Sequence, residues 1–116
     1  MTNRNYVIYL EDIIHCIDKI EQYTSKLSYE KFAGDSLVFD AVIRNLEVIG
    51  EASRNVPEEI MHHYPDVPWK SMIGLRNLLI HEYFGVDSEI VWEIIKNDLP
   101  KTKPLVSHVL EKLKDE

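Results

Sequence analysis

The sequence predicts an all-α protein, an up-and-down bundle of four main helices joined by short links, with one short connecting helix. Three observations predict it. Apolar residues recur at spacings of three and four over four long segments, the period of a helix that buries one face. No alternating run of apolar and polar residues reaches a useful strand length. Glycine supplies only four of 116 residues, which leaves little turn material for a β architecture.

The first helix runs from Tyr6 to about Ser25, where Leu10, Ile13, Ile14, Ile17 and Ile20 form the apolar stripe and Glu11, Asp12, Lys19 and Glu21 fall between them. Residues 28–35 supply turn and capping residues. Val38, Ala41, Val42, Leu46, Ile49 and Ala52 then mark a second helix that ends near Arg54. Pro57, Glu58 and Glu59 have the composition of a first helical turn and predict the short connecting helix, which reaches His62, His63 and Tyr64. Asp66 and Pro68 start a third long helix with Trp69, Met72, Ile73, Leu75, Leu79 and Ile80, leading to Tyr83 and closed by Phe84 and Gly85. Asp87 and Ser88 open the last region, which carries Val91, Trp92, Ile94, Ile95, Leu105, Val109 and Leu113; Pro100 and Pro104 should bend or split it.

A chain of 116 residues is one domain, residues 1–116, with no linker, repeat or low-complexity tract. Apolar residues at 45% and charged residues at 28% describe a globular protein rather than a disordered one. Thirteen Lys and Arg against twenty Asp and Glu give a net charge of −7, which excludes a broad basic surface for coating nucleic acid and makes any such contact local. Cys16 is the single cysteine, so neither an intrachain disulfide framework nor a cysteine-rich zinc site is expected, in keeping with a reducing compartment. The N-terminal residues do not read as a signal peptide and no run approaches the roughly 20 apolar residues that cross a bilayer. A cytoplasmic protein without membrane contact is expected.

The densest polar cluster lies on the third long helix, where Arg76, Asn77, His81 and Tyr83 fall within eight residues. At about 100° per residue, Asn77 and His81 share one face, and Arg76 and Tyr83 lie on another about a third of a turn away. The planar fork of arginine suits a phosphate, and imidazole exchanges a proton near neutral pH. That pairing matches RNA cleavage by attack of a 2′-hydroxyl on its own phosphate, for which no metal or cofactor is required. The leaving 5′-oxygen needs an acid as well, and a two-fold dimer would bring a second His81 and a second Arg76 into one cleft. The plainer reading of an Arg and a His on a bundle helix, solvated or structurally hydrogen-bonded, stays open on these residues alone.

The segment Arg76-Asn77-Leu-Leu-Ile-His81-Glu-Tyr83 resembles the RX4HXY motif of the HepT-like toxins, a branch of the HEPN superfamily. The similarity continues in ordered blocks: Asp40-Ala-Val-Ile-Arg44-Asn45-Leu-Glu-Val-Ile-Gly50-Glu51-Ala52, then Tyr64 to Trp69, then His81 to Asp87, then Val91-Trp92 through Asn97 to Pro100. It covers the chain from about residue 7 onward. The resemblance implies a HEPN-like helical toxin of a type VII toxin-antitoxin system, a homodimer that cuts RNA at the subunit interface. It implies that Arg76 and His81 are the catalytic pair, that Asn77 orients the site, and that Tyr83 receives AMP from a partner nucleotidyltransferase antitoxin of the MntA type. Such an adduct would add negative charge and bulk beside Arg76. Residues 67–83 carry Lys70 and Arg76 against Glu82, a local balance of +1 within the acidic chain.

Arg44, Asn45 and Glu51 are cleft or interface candidates of second rank. Arg44 and Glu51, seven residues apart, share a stripe on which a structural salt bridge or an interface contact is the favoured reading over direct RNA contact. No metal site is expected at His62 and His63, because adjacent helical residues point different ways and no carboxylate cluster accompanies them. His15 and His108 read as ordinary helix positions, Cys16 as a small core filler, and Trp69 and Trp92 as packing anchors. Two rival readings remain: a helical partner that presents substrate or nucleotide to a separate nucleotidyltransferase, and a purely structural interaction bundle.

Overall fold

The structure, a computed structural model, describes residues 4–81 and 87–115, with the backbone alone for 4, 5 and 77–81. All regular structure among these residues is helical. Helix α1 (Arg4–Thr24) buries Leu10, Ile13, Ile17 and Ile20 and leaves Glu11 and Asp12 in solvent. Helix α3 (Ser36–Arg54) begins where the Asp35 carboxylate accepts from the Val38 amide at 3.1 Å, one of the first-turn donors that a helix cannot satisfy internally. It buries Val42, Leu46, Ile49 and Ala52. Helix α3 packs against both α1 and α5 (Trp69–His81), and α1 packs in turn against α7 (Leu99–Lys114). The molecule measures 46 × 29 × 20 Å. Its thinnest dimension is about two helix diameters.

Short elements join the long ones. Helix α4 (Glu58–His63) follows Pro57 and opens with Glu58 and Glu59, as the composition predicts. Trp69, almost fully buried, donates its indole N–H to the Tyr64 carbonyl at 3.0 Å and so anchors the start of α5. Trp92 is half-buried and packs on Tyr29 and Phe32, with the Lys96 ammonium 4.6 Å from the centre of its ring. Both tryptophans act as packing anchors here. Cys16 is a buried filler whose thiol pKa is pushed up by burial and, secondarily, by Asp12. The buried hydroxyls of Thr24, Ser53 and Thr102 each turn back to a carbonyl four residues earlier, at 2.8, 2.7 and 2.9 Å. The core among the described residues therefore holds no unpaired polar side chain.

Two elements depart from the expectation. Residues 28–35, expected as a turn, contain a one-turn helix, α2 (Tyr29–Ala33), capped by the Ser28 hydroxyl at the Lys31 amide. Its single buried residue explains it: Phe32 is fully buried, with ring centres 5.5 Å from Phe39 and 5.1 Å from Trp92. Tertiary packing rather than local propensity holds this turn. Phe32→Ala should cost about 3–5 kcal/mol, read as a fall of roughly 10–20 °C in Tm; a smaller fall than about 5 °C would mean that α2 is not fixed by this contact. The second departure lies in the last helical region. Helix α6 (Ser88–Glu93), capped by Asp87, runs without a break into a π-helical turn (Ile94–Asp98) and then α7. The Leu99 amide reaches back five residues to Ile94. The helical run does not end at Pro100: the wider turn precedes it, where a proline ring would otherwise press on the carbonyl four residues back. Helix α7 passes through Pro104 as well.

Candidate functional site

Helices α3 and α5 cross with unusual closeness. A Cβ on Gly50 would lie 2.8 Å from the Arg76 backbone nitrogen and 3.0 Å from its Cβ, so the missing side chain is what lets α5 approach α3 at this point. Glu51, the next residue of α3, then meets Arg76 directly: Oε1 lies 2.9 Å from Nε. The two side chains are 54% and 38% exposed, and an ion pair that open adds little to stability. Their meeting is a feature of the surface, held in place by the packing beneath it.

That surface is a cleft of about 350 Å³. Arg76 from α5, Glu51, Glu47 and Arg44 from α3, and Tyr9 and Asp12 from α1 contribute to its polar lining. The two arginines face three carboxylates, a balance of −1 among these groups. The positive balance expected from residues 67–83 is therefore not the charge of the cleft, because α1 and α3 bring acids that a window along α5 does not contain. Arg44 is 76% exposed and its guanidinium stands 4.0 Å from Glu47, one turn away. The pairing expected along the α3 stripe is thus redistributed: Glu51 goes to Arg76 and Arg44 to Glu47. Asn45 gives its amide to the Ala41 carbonyl at 2.8 Å and does not line the cleft. Asn55, at the end of α3, does line it and donates to the Glu51 carbonyl at 2.9 Å.

His81 is the last residue of α5. On an α-helix its Cα stands about 7.5 Å along the axis from that of Arg76 and about 140° around it. The side chains of Asn77 and His81 lie outside the described residues, and so does Tyr83 altogether. Elsewhere, His15, His62, His63 and His108 are exposed; the rings of His63 and His108 stand edge-on to Tyr64, at 4.9 and 6.4 Å. Sequence reasoning did not single out Gly50, Tyr9, Asp12 or Asn55 as site residues. A glycine in the middle of an amphipathic helix costs about 1 kcal/mol relative to alanine, and that penalty was the one available signal of a close approach.

The profile of a family described as ribonuclease HepT-like matches residues 13–109. A protein of Methanocaldococcus jannaschii, provisionally named an RNase, is 42% identical over 109 residues, 94% of this chain and 100% of the relative. One from Thermococcus cleftensis, provisionally named ribonuclease HepT, is 44% identical over 100 residues, 86% of this chain and 91% of its own. A third, from Caldanaerobacter subterraneus and also provisionally named an RNase, is 40% identical over 106 residues, covering 91% of this chain and 95% of the relative. No solved structure matches.

Proposed function

The chain belongs to the HepT-like ribonuclease family, and from that premise we propose that it is a metal-independent RNA endonuclease, the toxin of a type VII toxin-antitoxin pair. The observation that carries the reading is Arg76, which stands partly exposed in a cleft within the segment matched to the family. Its guanidinium binds the scissile phosphate and the charge that grows on it. The imidazole of His81 takes the proton of the 2′-hydroxyl; the 2′-oxygen bonds to phosphorus and the bond to the 5′-oxygen breaks. His81 of a second copy returns a proton to that oxygen, so the working unit is a homodimer. The products are a 2′,3′-cyclic phosphate and a 5′-hydroxyl. Asn77, one turn before His81, orients the site. No helix of the described residues is long and apolar enough to cross a membrane, and the reading places the protein in the cytoplasm with its RNA.

The deciding experiment cleaves a labelled RNA pool in EDTA with the wild type beside His81→Ala and identifies the product ends. Cyclic phosphate ends from the wild type alone support the reading. RNA left whole by both proteins would replace it with a helical partner that serves a nucleotidyltransferase.

Control belongs to Tyr83 in this reading. Its phenolic oxygen attacks the α-phosphorus of ATP on an MntA-like antitoxin and releases pyrophosphate, and the AMP left behind brings an anion to the neighbourhood of Arg76. Incubation with ATP and such a partner should add adenylate mass to the wild type and none to Tyr83→Phe. Adenylate found on the variant would place the modification elsewhere.

A further inference from the structure

We propose that Glu51 is a positioning residue for this site: it holds Arg76 by its Nε edge and leaves the Nη1–Nη2 edge of the guanidinium for a phosphate in the cleft. The proposal rests on the ribonuclease reading above. Its ground is geometric. Glu51 Oε1 is 2.9 Å from Arg76 Nε, and both side chains line the same cleft. A guanidinium carries five N–H donors in a planar fork, so a carboxylate on Nε occupies one edge and leaves a second edge of the right shape for two phosphate oxygens. An arginine side chain that is one-third exposed has many rotamers, and an anchored Nε removes most of them before substrate arrives. Gly50 completes the device. It brings the Arg76 backbone against α3 beside Glu51, so the reach of one short carboxylate suffices.

The arrangement has a cost in charge. Glu51, with Asp12 and Glu47 in the same lining, repels the phosphate that Arg76 attracts. Glu51 therefore favours turnover and opposes binding, and the two effects separate in two variants. Glu51→Gln deletes the charge but keeps an oxygen that accepts from Nε; Glu51→Ala deletes both.

The test measures kcat and KM on an RNA substrate for the wild type, Glu51→Gln and Glu51→Ala. Alongside it runs binding of a 2′-deoxy oligonucleotide, which has no attacking hydroxyl and cannot be cut. Both variants should bind the deoxy oligonucleotide about threefold more tightly at low salt, since both lose one negative charge near the phosphate, and the gain should shrink as salt screens it. Turnover should divide them: Glu51→Ala loses between about ten- and a hundredfold in kcat through a misplaced guanidinium, whereas Glu51→Gln recovers most of that loss. Equal kcat in the two variants, whether lowered or not, would overturn the positioning role. Thermal unfolding of all three proteins should agree closely, because the pair is open to solvent. If the wild type binds RNA but cuts none, the ribonuclease reading falls and binding alone judges the proposal. In that case tighter binding by Glu51→Gln that is abolished by adding Arg76→Ala supports it, and unchanged or weaker binding rejects it.

Discussion

His81→Ala is expected to lower RNA cleavage by about 10²–10⁴-fold, the usual contribution of a positioned acid or base. Arg76 and His81 are five residues apart on α5, with a rotation of about 140° between their Cα atoms. A single copy carries one such imidazole, and the reaction needs both a base and an acid. Two copies related by a two-fold axis can face Arg76 of one toward His81 of the other, and such a cleft supplies two imidazoles for the two proton transfers. The pH profile of kcat/KM should then be bell-shaped, with one imidazole neutral and the other protonated at the optimum. A profile with a single limb would mean that one imidazole acts alone, and a variant as active as the wild type would remove His81 from the mechanism.

Gly50→Ala should also impair the protein, against the trend for a helical glycine. In the middle of a helix, alanine is better than glycine by about 1 kcal/mol. At Gly50 the new methyl would sit 2.8 Å from the Arg76 nitrogen, a backbone atom with no rotamer through which to withdraw. Forcing a group into such a contact costs about 1–3 kcal/mol, so the propensity gain is cancelled or reversed and α5 must shift. A shift of about 1 Å at Arg76 is enough for a hundredfold loss of rate. The expected result is a fall in cleavage of that order with Tm unchanged or lower by several degrees. Gly74 provides the contrast: nothing among the described residues lies within 4 Å of a Cβ placed there, and Gly74→Ala should raise Tm. A rise in Tm for both variants would contradict the close crossing.

The long helices were legible because each repeats its apolar residues over several turns. Leu10, Ile13, Ile17 and Ile20, or Val42, Leu46, Ile49 and Ala52, define a face that any packed structure must bury. Asp35 and Asp87 announced helix starts through the same chemistry by which they cap them. Helix α2 was not legible, because one buried Phe32 in five residues carries no period and its partners, Phe39 and Trp92, are brought in by the fold. The site was half legible. Arg76 stood out as a cation on an otherwise apolar helix, and Glu51 as an acid on another; their pairing across two helices leaves no trace in the spacing of either. The acids of the cleft were not legible in a window along α5 for the same reason, since Asp12, Glu47 and Glu51 come from α1 and α3.

The π-helical turn at Ile94–Asp98 sets the phase of the last helical region against the core. The buried residues of the last region are Val91, Ile95, Leu99, Thr102, Val106, Val109 and Leu113, and eight residues separate the first from the third. On a plain α-helix eight residues overshoot two turns by about 80°, which would swing Leu99 off the core. The wider turn absorbs that overshoot. Seven residues would fall within about 20° of two turns without help, so the segment has the arithmetic of one inserted residue. An insertion taken up in this way leaves every buried position of α7 in phase with the rest of the bundle, and the added residue is tolerated as a local bulge instead of a rotation of sixteen residues.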